Sequence, residues 1–200
     1  MSEALSARRD AQHAVQFYSN EACLYATVAT FVGEGFLNGE PAIVIATEPH
    51  TAGILDALST RLIDIAAALR VGDLVLLDAQ ATLSAIMAGG TDPDPRFIEQ
   101  NLGPLIDKTR GRRKRTRVRV YGEMVDLLWH AGRADAALTL EVLWNQLAAK
   151  HAFSLLCGYS VGNFSKQTSQ FQDICAQHTH VFGADSHASR LEPRSPTSFA

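Results

Sequence analysis

The sequence predicts an α/β domain built as three α/β/α layers around a mainly parallel sheet. Five short apolar runs alternate with segments whose apolar residues recur at helical spacing, which is typical of this class. The stretch Tyr121–Tyr159 is the most informative, because a helical pattern there follows one β-rich run and leads into the next. Such spacing is typical of a βαβ unit, in which two neighbouring parallel strands are joined by a right-handed crossover.

The strand predictions rest on runs of apolar and β-branched residues. The run PAIVIAT is continuous in this respect, as expected of a strand that is buried on both faces. Leu74–Leu77 is equally apolar and ends on Asp78. The five predicted strands are His13–Tyr18, Pro41–Thr47, Leu74–Leu77, Arg117–Tyr121 and Phe153–Cys157.

The helix predictions rest on apolar spacing and on residues that start or stop helices. Asn20 is a suitable cap for the first helix, and the breaker-rich segment GGTDPDP separates the third helix from the fourth. Trp144 recurs with other apolar residues at helical spacing, so we expect both it and Trp129 in the core rather than at a cofactor. The predicted helices run from Asn20 to Gly35, from about Thr51 to Arg70, and over Thr82–Ala88, Arg96–Arg110, Asp135–Lys150 and Gln167–His178.

Length and composition indicate one soluble domain with flexible ends. Two hundred residues of which 46% are hydrophobic can build one sizeable core, and a net charge of −3 does not suggest a nucleic-acid or membrane partner. The three cysteines are irregularly spaced and no signal segment is recognisable, which predicts a cytoplasmic protein. We predict a flexible lead over residues 1–12, a domain over residues 13–182, and a flexible Ser- and Pro-containing tail over residues 183–200.

Polar residues follow each predicted strand, and parallel strands bring all their carboxyl ends to one edge of the sheet. This edge is where open α/β sheets bind ligands, so the sequence predicts a crevice there. Strand-end polar residues also cap helices, and for Asp78 and Glu123 both roles stay open. The residues concerned are Tyr18 and Ser19, Thr47, Glu48 and His50, Asp78, Glu123 and Asp126, and Tyr159 and Ser160.

The sequence gives little support to catalysis. The segment LVLLD resembles the acid-bearing motif of P-loop proteins, but the first predicted strand is followed by SNEACLYATVATF, without the GxxxxGK[ST] loop that holds phosphates. Nucleophile-elbow, HExxH and CxxC motifs are likewise absent from the sequence. We therefore predict a protein that is not an enzyme and needs no cofactor.

Two further segments contain residues that could bind a partner or a metal. The basic segment Gly111–Arg119 is either a solvated loop or a surface that binds a phosphate or an acidic partner, through Arg112, Arg113 and Arg115. The segment CAQHTH offers Cys175, His178 and His180 as metal ligands, although a helix end with histidines near its dipole explains the pattern as well. The further ligands that such a site needs, from among His13, Cys157 and His187, can be chosen only with the fold known.

Several long motifs resemble the MEDS domain, the methanogen/methylotroph DcmR sensory domain. They are HAVQFY, EGFLNGEPAIVIAT, LLDAQATLSAIMAGG, the stretch from YGEM to LLCGY, and ICAQHTHV, which together span about residues 13–181. The resemblance implies a RecA/KaiC-like fold without a P-loop, a sensory role beside histidine kinases or DNA-binding regulators, and small hydrocarbon-derived ligands. Family members often have His-x-Cys near the start. This chain has His13 but carries Val15 at the position of that cysteine, which puts thiol- or metal-dependent ligand chemistry in doubt.

The function predicted from these observations is a sensory domain that binds a small molecule and relays the signal to a histidine kinase or transcription regulator. RecA-like domains often associate, so the resemblance also implies a homodimer. Two alternatives stay open, a protein–protein adaptor without a ligand and a degenerate nucleotide-binding protein. The side chains that we expect at the ligand are His13, Tyr18, Glu48, Asp78, Glu123 and Tyr159.

Overall fold

The sheet of this protein is six-stranded and entirely parallel in the part of the chain that the structure describes. The computed structural model describes residues 12–61, 63–113, 116–162 and 168–183. The predicted lead and tail lie outside these residues, except for Gln12 and Gly183. The strands are β1 (His13–Tyr18), β2 (Ala42–Ala46), β3 (Leu74–Asp78), β4 (Val118–Gly122), β5 (Phe153–Ser160) and β6 (His180–Phe182), in the spatial order β3-β2-β4-β5-β1-β6.

Helices cover both faces of this sheet. α1 and α2 pack on one face, and the helices that follow β3, β4 and β5 pack on the other. The predicted three-layer α/β class is therefore confirmed, while the relation to RecA and KaiC stays a prediction. The helices are α1 (Glu21–Leu37), α2 (Glu48–Ser59), α3 (Ile65–Val71), α4 (Ala79–Ile86), α5 (Pro95–Phe97), α6 (Gly103–Arg110), α7 (Met124–His130), α8 (Ala134–Ala148) and α9 (Thr168–Gln177).

The chain reverses its direction across the sheet once. From β1 to β3 it moves toward one edge, and from β3 to β6 it moves back toward the other. Right-handed crossovers then place helices on opposite faces for the two halves. At β2 and β4, which are neighbours, the outgoing connections diverge, and this divergence opens a crevice beyond the carboxyl ends of the two strands.

Two predicted helices differ from the observed ones for identifiable reasons. The helix predicted from about Thr51 to Arg70 is two helices, because the chain turns after Ser59 and Asp64 caps α3 by accepting a hydrogen bond from Ala67 N. The helix predicted over Arg96–Arg110 contains a π-helical turn at Ile98–Leu102, closed by Gly103 N donating to Ile98 O. Pro104 follows directly, and its missing N–H interrupts regular α-helical bonding at this point.

Two elements are absent from the prediction. α7 follows β4 after Glu123 alone, so its short pattern merges with that of the preceding strand. β6 has only three residues and pairs with β1, which places it at the edge of the sheet. A strand this short gives too few residues for an alternating pattern to be recognised.

Candidate functional site

A crevice of about 400 Å³ opens at the carboxyl ends of β1, β2, β4 and β5. It lies at the point where the connections from β2 and β4 diverge, which is the usual ligand site of an open α/β sheet. We call it the strand-end crevice. Its lining residues are Tyr18, Ser19, Glu21, Thr47, His50, Glu123, Asp126, Leu127, His130 and Ser160.

Glu123 is the centre of the hydrogen bonding on one side of this crevice. Its carboxylate is 2% exposed and follows directly after β4. One oxygen accepts a hydrogen bond from Thr47 N at 2.6 Å, and the other lies 2.7 Å from His50 Nδ1 and accepts from the Tyr121 hydroxyl at 3.0 Å. A buried carboxylate thus joins the end of β4 to the end of β2 and the start of α2.

Asp126 is the corresponding hydrogen-bond acceptor on the other side of the crevice. Its Oδ1 accepts a hydrogen bond from Ser160 N at 3.0 Å, and its Oδ2 accepts from the Tyr18 hydroxyl at 3.2 Å. His130 Nε2 lies 3.4 Å from the same Oδ2, one helical turn along α7. Asp126 therefore joins the ends of β1 and β5 to α7, so that the two carboxylates together connect four strands.

Burial and neighbouring charge change the acidities inside the crevice. Burial raises the pKa of Asp126 above its ordinary value, against the hydrogen bond from Ser160 N. Burial, and next the negative charge of Asp126, raise the pKa of Tyr18, so its hydroxyl stays a proton donor. The hydrogen bond to Glu123 raises the pKa of His50. Shifted pKa values in side chains that line one cavity are typical of functional sites.

The raised pKa of His50 predicts a pH-dependent contribution to stability. Because the folded-state pKa exceeds the unfolded value of about 6.5, the stability that the protonated ring contributes is complete below about pH 6.5 and is lost as pH rises through the folded-state pKa. We expect His50→Gln to destabilise the protein more in mildly acidic buffer than in alkaline buffer. Urea unfolding of wild type and variant from mildly acidic to alkaline pH gives the difference in their free energies of unfolding. The contributions of the other titrating groups cancel in this difference. A difference that does not change with pH would contradict the assignment.

A second polar cluster lies on the face of the sheet that α8 and α9 cover. His13 Nε2 is 3.2 Å from Glu141 Oε2 and 3.4 Å from Cys157 Sγ, and Cys157 Sγ is 3.5 Å from the same oxygen. The Tyr159 hydroxyl donates to Glu141 Oε1 at 2.9 Å, and His178 Nε2 lies 3.5 Å from that oxygen. We call His13, Glu141, Cys157 and His178 the buried His–Glu–Cys–His cluster. Burial would raise the pKa of Glu141, but the neighbouring His178 and His13 rings lower it below its ordinary value.

Comparison with known families agrees with the fold and with the motifs. The profile of the MEthanogen/methylotroph, DcmR Sensory domain (MEDS) matches residues 12–179. The chain belongs to the MEDS family. MEDS is a sensory domain family, so the predicted sensory class is supported at that level. No curated protein matches the chain.

Two of the six predicted ligand residues of this MEDS domain, Tyr18 and Glu123, line the strand-end crevice. His13 starts β1, so it lies at the other end of that strand, about 16 Å from Tyr18 by the usual rise per residue. Tyr159 belongs to the buried His–Glu–Cys–His side of the sheet, because it points to the same face as Cys157, two residues earlier.

The other two predicted ligand residues lie outside the crevice lining. Glu48 is exposed at the first position of α2, while His50, two residues later, faces Glu123. Asp78 ends β3, the edge strand, and β2 separates it from β4. Its Oδ1 accepts a hydrogen bond from Ala81 N at 2.6 Å, so of the two roles left open for Asp78 the structure shows helix capping.

The predicted partner-binding arginines are far from the crevice in the MEDS fold. Arg112 and Arg113 follow α6 at the amino-terminal edge of the sheet, where they line an open depression of about 770 Å³. Arg113 forms an ion pair with Asp73 and also donates to Thr109 O at 3.3 Å. Arg115 lies outside the described residues. Arg112 and Arg113 therefore lie at the edge of the sheet opposite to the strand-end crevice.

The residues that CAQHTH offered as metal ligands are not brought together. His178 faces Glu141, whereas Cys175 and His180 are not part of the buried His–Glu–Cys–His cluster. His180 starts β6, and its Nδ1 lies 3.0 Å from Thr179 Oγ1. Val15 is the Cα partner of Cys157, on the same face of the sheet. The neighbouring strand thus supplies a thiol on that face, where this chain has Val15 in place of the cysteine common in the family.

Several central residues of the crevice are among the predicted strand-end residues but not among the six predicted ligand residues. His50, Asp126 and Ser160 were recognisable as residues that follow predicted strands, which was the signal available for them. Glu141 lies within the predicted helix Asp135–Lys150, and nothing in a helical pattern shows that its carboxylate is fully buried. Among the described residues, no helix combines the length and the apolar character that a membrane crossing needs.

Proposed function

We propose that this MEDS domain is a non-catalytic receptor that binds a small polar molecule in the strand-end crevice. The observation that supports the proposal is the convergence of Tyr18, His50, Glu123 and Asp126, from two strand ends and two helices, on one cavity. The bound and free states would differ in the hydrogen bonds that join those strand ends. In this proposal, a cytoplasmic signalling partner, such as a histidine kinase or a transcription regulator, responds to that difference.

The lining suggests which ligands suit the crevice. Among the described lining residues, Glu21, Glu123 and Asp126 contribute carboxyl groups, while His50 and His130 are the basic side chains. This balance disfavours phosphates and other anions. We therefore favour neutral or cationic molecules that can both donate and accept hydrogen bonds, such as small alcohols and amines. The short β1–α1 connection, whose helix is capped by Asn20, argues in the same direction against nucleotides.

Thermal-shift measurements on the intact chain test the proposal. The panel consists of one-carbon alcohols, amines and halides, nucleotides, and common small metabolites. A ligand at about 100 times its dissociation constant adds roughly 2.7 kcal/mol, which raises the melting temperature of a domain of this size by about 5–10 °C. We expect at least one neutral or cationic compound to do so.

Two isosteric variants locate the binding site. Asp126→Asn keeps an oxygen for Ser160 N but removes the charge in the crevice, so we expect most of the ligand-induced shift to be lost. Asp78→Asn is the matched control, because it changes a strand-end acid outside the crevice and asparagine is as good a helix cap as aspartate. Equal effects of the two variants would overturn the assignment of the site. No stabilisation by any compound would overturn the receptor proposal and favour the adaptor alternative.

A further inference from the structure

The buried His–Glu–Cys–His cluster brings four different metal-binding side chains from four elements to one point. His13 is at the start of β1, Glu141 in α8, Cys157 in β5, and His178 just after α9. One ligand atom from each lies within 4.8 Å of the corresponding atom of every other. From this geometry we infer that these four residues form a closed binding site for a zinc-class divalent cation.

The distances fit tetrahedral coordination. Zinc bonds of about 2.0–2.3 Å to nitrogen, oxygen and sulfur place neighbouring ligand atoms roughly 3.3–3.6 Å apart. The observed separations are 3.2 Å for His13 Nε2 to Glu141 Oε2, 3.4 Å for His13 Nε2 to Cys157 Sγ, and 3.5 Å for Cys157 Sγ to Glu141 Oε2. Three of the four ligand atoms therefore already form one face of such a tetrahedron.

Both histidines are oriented with Nε2 toward the cluster by a hydrogen bond at Nδ1. His178 Nδ1 donates to Ile174 O at 2.7 Å, so Nε2 is the nitrogen left for a metal. His13 Nδ1 is 2.9 Å from Asn145 Oδ1, and Asn145 is oriented by its Nδ2, which donates to Gln177 O at 3.1 Å. His13 must then donate through Nδ1, so Nε2 is the nitrogen that faces the cluster. Outer hydrogen bonds of this kind are typical of metal-binding histidines.

One atom of the cluster points directly to a missing ligand. His178 Nε2 is fully buried and has no hydrogen-bond partner among the described residues, since its 3.5 Å approach to Glu141 Oε1 lacks hydrogen-bond geometry. Leaving a buried polar atom unpaired is destabilising, and a cation would satisfy it. A divalent cation with Glu141 and the Cys157 thiolate is also electrically neutral, which suits a site from which water is excluded.

The four protein ligands leave no open position, so the site would be structural rather than catalytic. A cation there would bind α8 and the end of α9 to the central strands β1 and β5. It lies on the face of the sheet opposite Tyr18 and Tyr121, and its role is independent of ligand binding in the strand-end crevice.

Cobalt binding to the chelator-treated intact chain tests the inference. We expect one equivalent of Co²⁺ to produce a thiolate-to-cobalt charge-transfer band and the visible absorption of a tetrahedral ion, and Zn²⁺ to abolish both by displacement. Cys157→Ser should lose the charge-transfer band, while Cys175→Ser, which changes a nearby cysteine outside the cluster, should keep it. Asn145→Ala should weaken Zn²⁺ binding about 10–100-fold, and Gln146→Ala, its exposed neighbour, should not.

Three results would overturn the inference. They are a wild-type chain that shows no band with Co²⁺, a Cys157→Ser variant that keeps the band, and a Cys175→Ser variant that loses it. If Cys157→Ser does not fold, the comparison of Asn145→Ala with Gln146→Ala decides, because equal Zn²⁺ affinities would exclude the proposed orientation of His13. In each of these cases the conclusion is that the buried His–Glu–Cys–His cluster is an ion-pair network that does not itself bind the metal as proposed.

Discussion

Replacing Glu123 with alanine is expected to lower the free energy of unfolding by about 3–5 kcal/mol, because it removes the shared partner of several buried groups. Thr47 N and the Tyr121 hydroxyl would each lose a hydrogen bond, and each buried donor left unpaired costs about 1–3 kcal/mol. His50 would lose the carboxylate 2.7 Å from its ring. Urea unfolding of wild type and variant measures the loss.

Two variants control this experiment. Glu123→Gln keeps an oxygen for Thr47 N and should cost clearly less than Glu123→Ala. Asp78→Ala also removes a carboxylate at a strand end, but there it removes only a helix cap, worth typically about 1 kcal/mol. If Glu123→Ala and Asp78→Ala cost the same, Glu123 does not hold the strand ends together as described.

Replacing Trp144 with alanine is expected to cost about 3–5 kcal/mol through lost burial and the cavity that remains. The side chain is 1% exposed on the sheet-facing side of α8, and its ring packs edge-on against Phe153 with centroids 6.0 Å apart. This placement agrees with the expectation that Trp144 belongs to the core rather than to a cofactor site. Thermal and urea unfolding of the variant provide the measurement.

Val142→Ala is the matched control, since it truncates an apolar side chain two residues earlier in the same helix. Val142 is 38% exposed, and surface substitutions usually change stability by no more than about 0.5 kcal/mol. A loss for Trp144→Ala as small as that for Val142→Ala would mean that this face of α8 is not packed on the sheet as described.

The fold class was predictable because burial on both faces leaves a direct mark on the sequence. β2 consists of Ala42–Ala46, all buried, and its apolar run admits few readings other than a central parallel strand. β6 left no such mark, since its three residues are stabilised by pairing with β1 rather than by a pattern of their own. The π-helical turn also left no mark of its own, because it arises at one proline within a continuous helical pattern.

The sequence predicted where the candidate site lies but not which residues line it. Any parallel sheet brings its strand ends to one edge, so the edge follows from the strands alone. Which ends adjoin the crevice depends on the strand order, and that order places Asp78 on an edge strand and Glu123 near the centre. For the same reason, Tyr159 could not be assigned to a face until the register of β5 was known.

The amino-acid sequence by itself determined the alternation of strands and helices, the absence of a phosphate-binding loop, and the family of this protein. These properties are local or carried by motifs, so contiguous residues encode them. Only the tertiary structure decided that Tyr18 meets Asp126 and that His13 meets Glu141, Cys157 and His178. Those contacts join residues more than a hundred positions apart, and strand order and side-chain facing, which no local pattern specifies, bring them together.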